Sequence, residues 1–382
     1  LMAAEVLAGA GHKVTIYDRM PTAGRKFLMA GRGGLNLTHS EPMEKFISRY
    51  GSAANWLEPH IKTFSPQDLM QWAEGLRQEI FVGSSGRIFP KIMKAAPLLR
   101  AWLGRLNQLG VNFYMQHNWQ GFEGDALKFS NAQQQEILVK PDATFLALGG
   151  ASWPRLGADG GWVKFLQDKD IKIAPLKPAN CGFEVKWSEY FSNRFAGAPL
   201  KSVGLNFAGI CQQGELMVTK NGIEGGAVYA ISAYLRDEVI KNNSAKLYID
   251  LRPNMSLVEL QSKLSEPRGS QSLSNFLRKK GFAAVAISLL HEVAKPATEP
   301  AQLAAQLKAL PVTVTATSGL ARAISSAGGI ELAELDKNLM LKKLPNVFVC
   351  GEMLDWEAPT GGYLLQACFS TAVAAAGGLV SS

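Results

Sequence analysis

The chain has 382 residues, a net charge of +8 at pH 7 and a hydrophobic fraction of 47%, enough for two or three domains with full cores. Its Lys and Arg residues are scattered rather than gathered in one stripe with interleaved aromatics, which argues for a solvated surface with local anion sites and against a nucleic-acid partner. No apolar run reaches the ~20 residues of a membrane span and no signal peptide is visible, so the expectation is a cytoplasmic protein without a membrane partner.

Cys181, Cys211, Cys350 and Cys368 are widely spaced with no C-x-x-C pair. This pattern sets neither a disulfide framework nor a zinc site, and each is expected to be a buried free thiol. His12, His39, His60, His117 and His291 show no ligand spacing, so no metal is expected.

Leu1 to Gly9 has helix-forming composition, and Val14 to Asp18 follows as a β-branched run ending in an acid. In a dinucleotide fold the acid that holds the ribose lies roughly 20 residues beyond a Gly-rich turn. Counting back from Asp18 places that turn immediately before Leu1, and the sequence is expected to lack it. After Arg19, the segments Gly24-Arg25-Lys26 and Gly31-Arg32-Gly33-Gly34 with Asn36 combine glycines with cations. Glycines permit close backbone approach and the cations suit phosphate, so this loop is expected to form part of a pyrophosphate site.

Residues 65 to 109 read as helical, broken by a turn-rich element from Val82 to Pro90. Strand composition returns at Val111 to Met115, Ala126 to Phe129 and Glu136 to Val139, a meander or hairpin attached to the sheet. Ala143 to Leu148 is a continuous apolar strand ending in Gly149-Gly150, where a second approach to the cofactor is expected. From Cys181 to Leu251 short strands alternate with Gly and Asn turns, as in a small β-barrel. Pro253 to Leu310 is amphipathic and helical. Thr313 to Thr317 returns to strand, and Ser326 to Ile330 reads as a turn.

The chain then re-enters the first domain through Val347 to Val349, followed by Gly351-Glu352-Met353-Leu354-Asp355, Gly361-Gly362-Tyr363-Leu364 and an apolar Ala-rich run to Val380. Strand, Gly turn and helix in that order are how a doubly wound sheet places backbone amides near a phosphate or polyol. The expected division is 1–178 and 321–382 for the cofactor domain, 179–252 with 311–320 for the barrel, and 253–310 for the helical insert.

With these elements placed, the chain resembles the BaiN-like (YhiN-type) family of NAD(P)/FAD-dependent oxidoreductases, which includes aminoacetone oxidase-like flavoproteins. The resemblance covers essentially the whole length. It rests on Gly24-Arg25-Lys26, Gly31 to Gly34 with Asn36 and Thr38, Gly86 to Lys91, Gly328-Gly329, Gly351 to Asp355 and Gly361 to Tyr363. It implies an α/β fold: a discontinuous, glutathione-reductase-like Rossmann FAD domain with an inserted β-barrel and a helical subdomain. It also implies that Asp18 holds the adenosine ribose, that residues 24–26 and 31–34 surround the pyrophosphate and flavin, that Asp355 meets the ribityl or phosphate region, and that Gly361 to Leu364 lie against the isoalloxazine. Family members often carry Cys where this chain has Leu35 and Asn where it has Leu364, so no thiol or amide chemistry carries over to these two positions.

The leading expectation is an FAD enzyme that takes electrons from NAD(P)H and passes hydride from flavin N5 to an unsaturated or carbonyl small molecule held between the FAD and inserted domains. Two alternatives stand beside it: an oxidase of a small amine, and a flavin-containing protein that binds or modifies nucleic acid. Tyr363, Glu352, Glu357 and Tyr229 are the available proton donors. Tyr363 adjoins the glycines expected at the flavin and is the foremost of them, although a structural ring packed on the cofactor is the commoner use of a tyrosine so placed.

Overall fold

The computed structural model describes residues 1–30 and 33–381. They form two units, Leu1–Lys177 with Ser325–Ser382, and Pro178–Ile324. Barrel and helical insert therefore belong to one unit, and the chain leaves it at Ser325 rather than at 321.

The first unit is an α/β domain built on two parallel strand pairs. Thr15–Asp18 runs alongside Asn112–Met115, and Thr144–Leu146 alongside Val347–Val349. The latter pair is apolar on successive residues because both faces are covered: Val347, Phe348 and Val349 are all buried. The helix Tyr363–Val380 packs on the helices Met2–Gly9 and Ala54–Thr63. By length and composition it could cross a membrane, yet 56% of it is buried within the protein. Its alanines serve this packing, since Ala367, Ala375 and Ala376 are fully buried.

Three elements differ from the sequence reading. The turn-rich segment 82–90 is a hairpin, Ile80–Val82 with Arg87–Pro90, and Thr38–His39 adds a third antiparallel strand to it. The meander includes a further strand, Asn118–Glu123, paired with Ala126–Ser130. Residues Ser325–Ile330, read as a turn, are a wholly buried strand. Gly328 and Gly329 have φ of +82° and +132°, and a Cβ on them would stand 2.2 Å from Pro175 O and 2.3 Å from Met353 O. The two glycines let three backbones pass at close quarters; they do not reverse the chain.

In the second unit seven antiparallel strands run in the order Leu310–Val314, Ala245–Asp250, Pro199–Phe207, Ile210–Thr219, Gly222–Glu224, Phe183–Glu184, Ala316–Thr317. The two edge strands are separated in sequence only by Thr315, whose N–H donates to Glu184 O at 3.0 Å. The sheet is thereby drawn round into a barrel. Helices Leu257–Leu264, Leu273–Lys279, Ala284–Val293 and Pro300–Lys308 complete this unit around its own core. Cys211 is exposed in the 207–210 hairpin region, against the expectation of burial, while Cys181 and Cys350 are buried.

Glu5, on the helix Met2–Gly9, ties the first unit together. Its carboxylate accepts from Trp72 Nε1 at 3.1 Å, Trp102 Nε1 at 2.6 Å and Arg105 Nη1 at 2.8 Å. Glu5→Ala leaves two indole N–H groups and a guanidinium without their acceptor. The expected loss is about 2–4 kcal/mol in a denaturant titration, with the slope of the transition unchanged.

Candidate functional site

Lys26 stands on the helix Arg25–Ala30, which begins directly after Gly24. Gly24 has φ +73°, and a Cβ there would lie 2.8 Å from the Leu99 side chain. Lys26 Nζ donates to Ser152 Oγ at 2.9 Å and pairs with the Glu352 carboxylate. Glu352 sits in the 3-10 turn Gly351–Met353 that follows the strand Val347–Val349. Its second oxygen accepts from Ser326 N at 3.0 Å, and Ser326 Oγ accepts from Ala151 N at 2.9 Å. Three segments expected near the cofactor, joined by Ser326 from a fourth that was read as a turn, thus meet around one ion pair. The same contacts explain Gly150, since a Cβ there would fall 1.8 Å from Ser326 Oγ. Gly149 has φ +74°, and its carbonyl accepts from Trp162 Nε1 at 2.9 Å. Gly351 has φ +78°, and its N–H donates to Thr371 Oγ1 at 3.0 Å.

Asp18 ends its strand with Oδ1 accepting from Met20 N at 2.8 Å. Burial pushes its carboxyl above the ordinary value, against the opposing pull of that amide, Arg19 and Arg25. Arg19 itself turns to Asp159, Nη1 to Oδ2 at 2.6 Å. Burial favours the neutral form of Asp159, but the Arg19 and Gly161 hydrogen bonds outweigh it and hold the carboxyl low. Asp355 is half-buried and is also pushed upward, first by burial and then by Glu331 and Glu357, with Lys177 opposing.

Gly361 and Gly362, with φ of +135° and +98°, lead into the long C-terminal helix. The reason for glycine at 362 is not an approaching ligand. A Cβ on Gly362 would lie 2.5 Å from Thr38 Cα and 2.6 Å from Thr38 C, so the space is filled by the Thr38 backbone. At Gly34, φ +113°, a Cβ would meet only the end of the flexible Met93 side chain, Cε at 2.5 Å, while Gly33 is exposed with open space around it. Gly31 and Arg32 lie outside the described residues. Leu364 is half-buried in the first turn of the helix.

Tyr363 is buried, and its hydroxyl donates to Glu41 Oε1 at 2.6 Å. Glu41 also accepts Arg49 Nε and Nη2, both at 2.9 Å. Burial, followed by Glu41, pushes the Tyr363 phenol upward. Burial would raise Glu41 too, but Arg49 and Tyr363 outweigh it and hold its carboxyl below the ordinary value. The Tyr363 proton is therefore already committed to a carboxylate. His39 stacks on the Tyr363 ring at 5.4 Å between centroids. Glu41, Arg49, His39 and Ser326 were not singled out from the sequence, because nothing in their spacing links them to residue 352 or 363.

The chemistry of this region suits a polar, anionic group such as FAD. The helix from Tyr363 has no side-chain cap at its positive end. Beside it, Thr38 Oγ1 is buried without a hydrogen-bond partner among the described residues, as is Asn36 Oδ1 two residues earlier in the chain. A Gly-rich loop, a strand-end acid and an uncapped helix start lie in one α/β unit, as in dinucleotide-binding domains of the Rossmann type, and the class of protein is an FAD-dependent oxidoreductase. More narrowly, the HI0933-like protein Rossmann domain matches residues 1–378, and the chain belongs to that family.

The chain is 25% identical to a 3-dehydro-bile acid delta(4,6)-reductase of Clostridium scindens, over 94% of this chain and 90% of that protein. It is 24% identical to a ribosomal RNA dihydrouridine synthase of Haemophilus influenzae, over 98% and 94% respectively. In fold it resembles a 3-ketosteroid-delta4-(5alpha)-dehydrogenase from Rhodococcus jostii RHA1, with a TM-score of 0.52, 12% identity, and coverage of 100% of this chain and 94% of that one.

Gly362→Ala forces a Cβ against backbone at a positive φ, and it should cost about 2–4 kcal/mol of stability whether or not cofactor is present, as read from melting with and without added FAD. Glu41 gives a pH signature. Its folded value lies below the ordinary 4.5, so the stability it lends is complete above pH 4.5 and is lost as the pH falls through the folded value. Glu41→Gln should lower stability at pH 7 and flatten the acid limb of the stability curve relative to the parent protein.

Proposed function

We propose that the enzyme reduces carbon–carbon double bonds conjugated to a carbonyl, with a reduced nicotinamide dinucleotide as electron donor. One observation carries this reading. Two relatives that align with nearly the whole chain are named for different substrates, a 3-dehydro-bile acid and ribosomal RNA, yet the two named reactions share one chemical step. The Δ4 bond beside a 3-oxo group, and the C5=C6 bond of uracil beside its C4 carbonyl, each accept hydride at the carbon β to the carbonyl, and the further Δ6 bond accepts it at the vinylogous δ carbon.

Bound FAD supplies the hydride-transfer chemistry. The chain's own residues would bind and orient. Asp18 would accept from the adenosine ribose hydroxyls, and Arg25, close enough to steady the Asp18 charge, would face the pyrophosphate. Lys26 and Glu352 neutralise each other, so their part is to fix the loop and the turn rather than to contact phosphate directly. Asp355 suits ribityl hydroxyls better than phosphate, since its own neighbours include Glu331 and Glu357. The positive end of the helix Tyr363–Val380 would receive the electron-rich edge of the flavin ring.

The relatives named for ribosomal RNA, one from Haemophilus influenzae and one from Escherichia coli, favour a second reading in which the reduced bond belongs to a uracil in RNA. One anaerobic experiment separates the cases. The natural gene product is bleached with NADH or NADPH and then mixed with 2-cyclohexenone, with unmodified ribosomal RNA, or with air. Reoxidation by the enone, with saturated ketone formed, is expected. Reoxidation by RNA alone would transfer the reading to uracil, and reoxidation by oxygen alone, with a small amine able to reduce the flavin in place of the nicotinamide and oxygen reduced to peroxide, would replace it by an oxidase.

A further inference from the structure

Arg87 lies in the strand Arg87–Pro90, directly opposite His39 in the strand Thr38–His39. Its guanidinium reaches the turn that precedes the C-terminal helix: a Cβ built on Gly361 would stand 3.9 Å from Arg87 Nε. The other ionisable groups of this corner are already engaged. Glu41 holds Arg49 through two hydrogen bonds and Tyr363 through a third. His39 Nδ1 accepts from Glu41 N at 3.1 Å, which leaves Nε2 to donate to Ser85 O at 3.0 Å. Burial lowers the affinity of this ring for a further proton, with the Arg87 charge adding to the effect. The Arg87 side chain is exposed and forms no hydrogen bond or ion pair with another described residue. Next to it, Thr38 Oγ1 is fully buried without a partner, and its backbone abuts Gly362.

We infer that Arg87 binds the carbonyl oxygen of the substrate and stabilises the charge that this oxygen gains during reduction, so that the enzyme selects acceptors whose double bond is conjugated to such an oxygen. The inference rests on the reductase reading above. Two electrons and a hydrogen nucleus from the reduced nicotinamide, passed through FAD, form a C–H bond at the β carbon. The C=C π pair shifts toward the carbonyl, and the oxygen takes the negative charge. Arg87 holds that oxygen by N–H donation and stays protonated. Water delivers a proton to the α carbon, and the saturated carbonyl leaves. Tyr363 cannot take this role while its hydroxyl is donated to Glu41, and Arg49 cannot because the same carboxylate holds its fork.

The test uses Arg87→Lys and Arg87→Ala in the FAD-loaded natural gene product. The probe is 4-chlorophenol, whose phenolate resembles the charged oxygen and gives a long-wavelength charge-transfer band when stacked on oxidised flavin. Both variants should retain FAD and a melting temperature close to that of the parent, since the side chain is exposed and is held by no hydrogen bond or ion pair to a described residue. Arg87→Ala should weaken probe binding by at least tenfold and raise the pH at which the bound phenol ionises, with Arg87→Lys between the two. With 2-cyclohexenone, kcat/KM of Arg87→Ala should fall by about 100-fold. A parent enzyme that gives no phenolate band, or an alanine variant with unchanged affinity and pH midpoint, overturns the assignment. If the parent binds phenolate through Arg87 but reduces no enone, the assignment of an oxyanion site stands and the reductase reading is what fails.

Discussion

The arrangement of the first unit depends on one ion pair, Lys26 with Glu352, whose partners are 326 residues apart in the chain. Lys26 comes from the first helix after the Asp18 strand, and Glu352 from the turn after the last strand of the same unit. Between them stand Ser152, on the loop after Gly150, and Ser326, at the start of the buried strand that returns the chain to the unit. A half-buried pair of this kind adds modest net stability, because desolvation offsets much of the attraction. What it supplies is registration. Removing either charge would leave the other facing a low-dielectric interior, and the loop 24–26 would lose its only described link to the turn 351–353.

That registration sets where each charge at the site points. Arg19 is spent on Asp159, Lys26 on Glu352, and Arg49 on Glu41. The guanidinium of Arg87 is left at the head of the C-terminal helix, beside Thr38 and Gly361. An uncapped helix start and an uncommitted cation both stabilise negative charge on a bound oxygen. Hydride delivered to a carbonyl-conjugated double bond generates such a charge.

Much of this could be read from the chain itself. The continuous apolar runs at 144–146 and 347–349 are strands because both faces are buried, and the acid at the end of 15–18 lies at the tip of its strand. Gly-rich segments were harder, because composition reports that glycine is tolerated without saying what fills the missing Cβ. At 328–329 the filler is neighbouring carbonyl oxygen, at 150 it is Ser326, and at 362 it is the Thr38 backbone. None of these partners is near in sequence. The same limit hid the Glu41–Tyr363 bond, which spans 322 residues: periodicity finds neighbours on one element, and this contact joins two. His39 and Arg87 became a pair only once the segment 82–90 was seen as a hairpin rather than a turn.

The central claim, that this α/β unit holds FAD and uses it for reduction, is tested most directly by the visible spectrum of the natural gene product purified without added cofactor and then reduced anaerobically with NADH or NADPH. The account predicts flavin absorption that is lost on reduction, and release of FAD in one-to-one proportion with chain on denaturation. A colourless protein that takes up no FAD when it is supplied would contradict it.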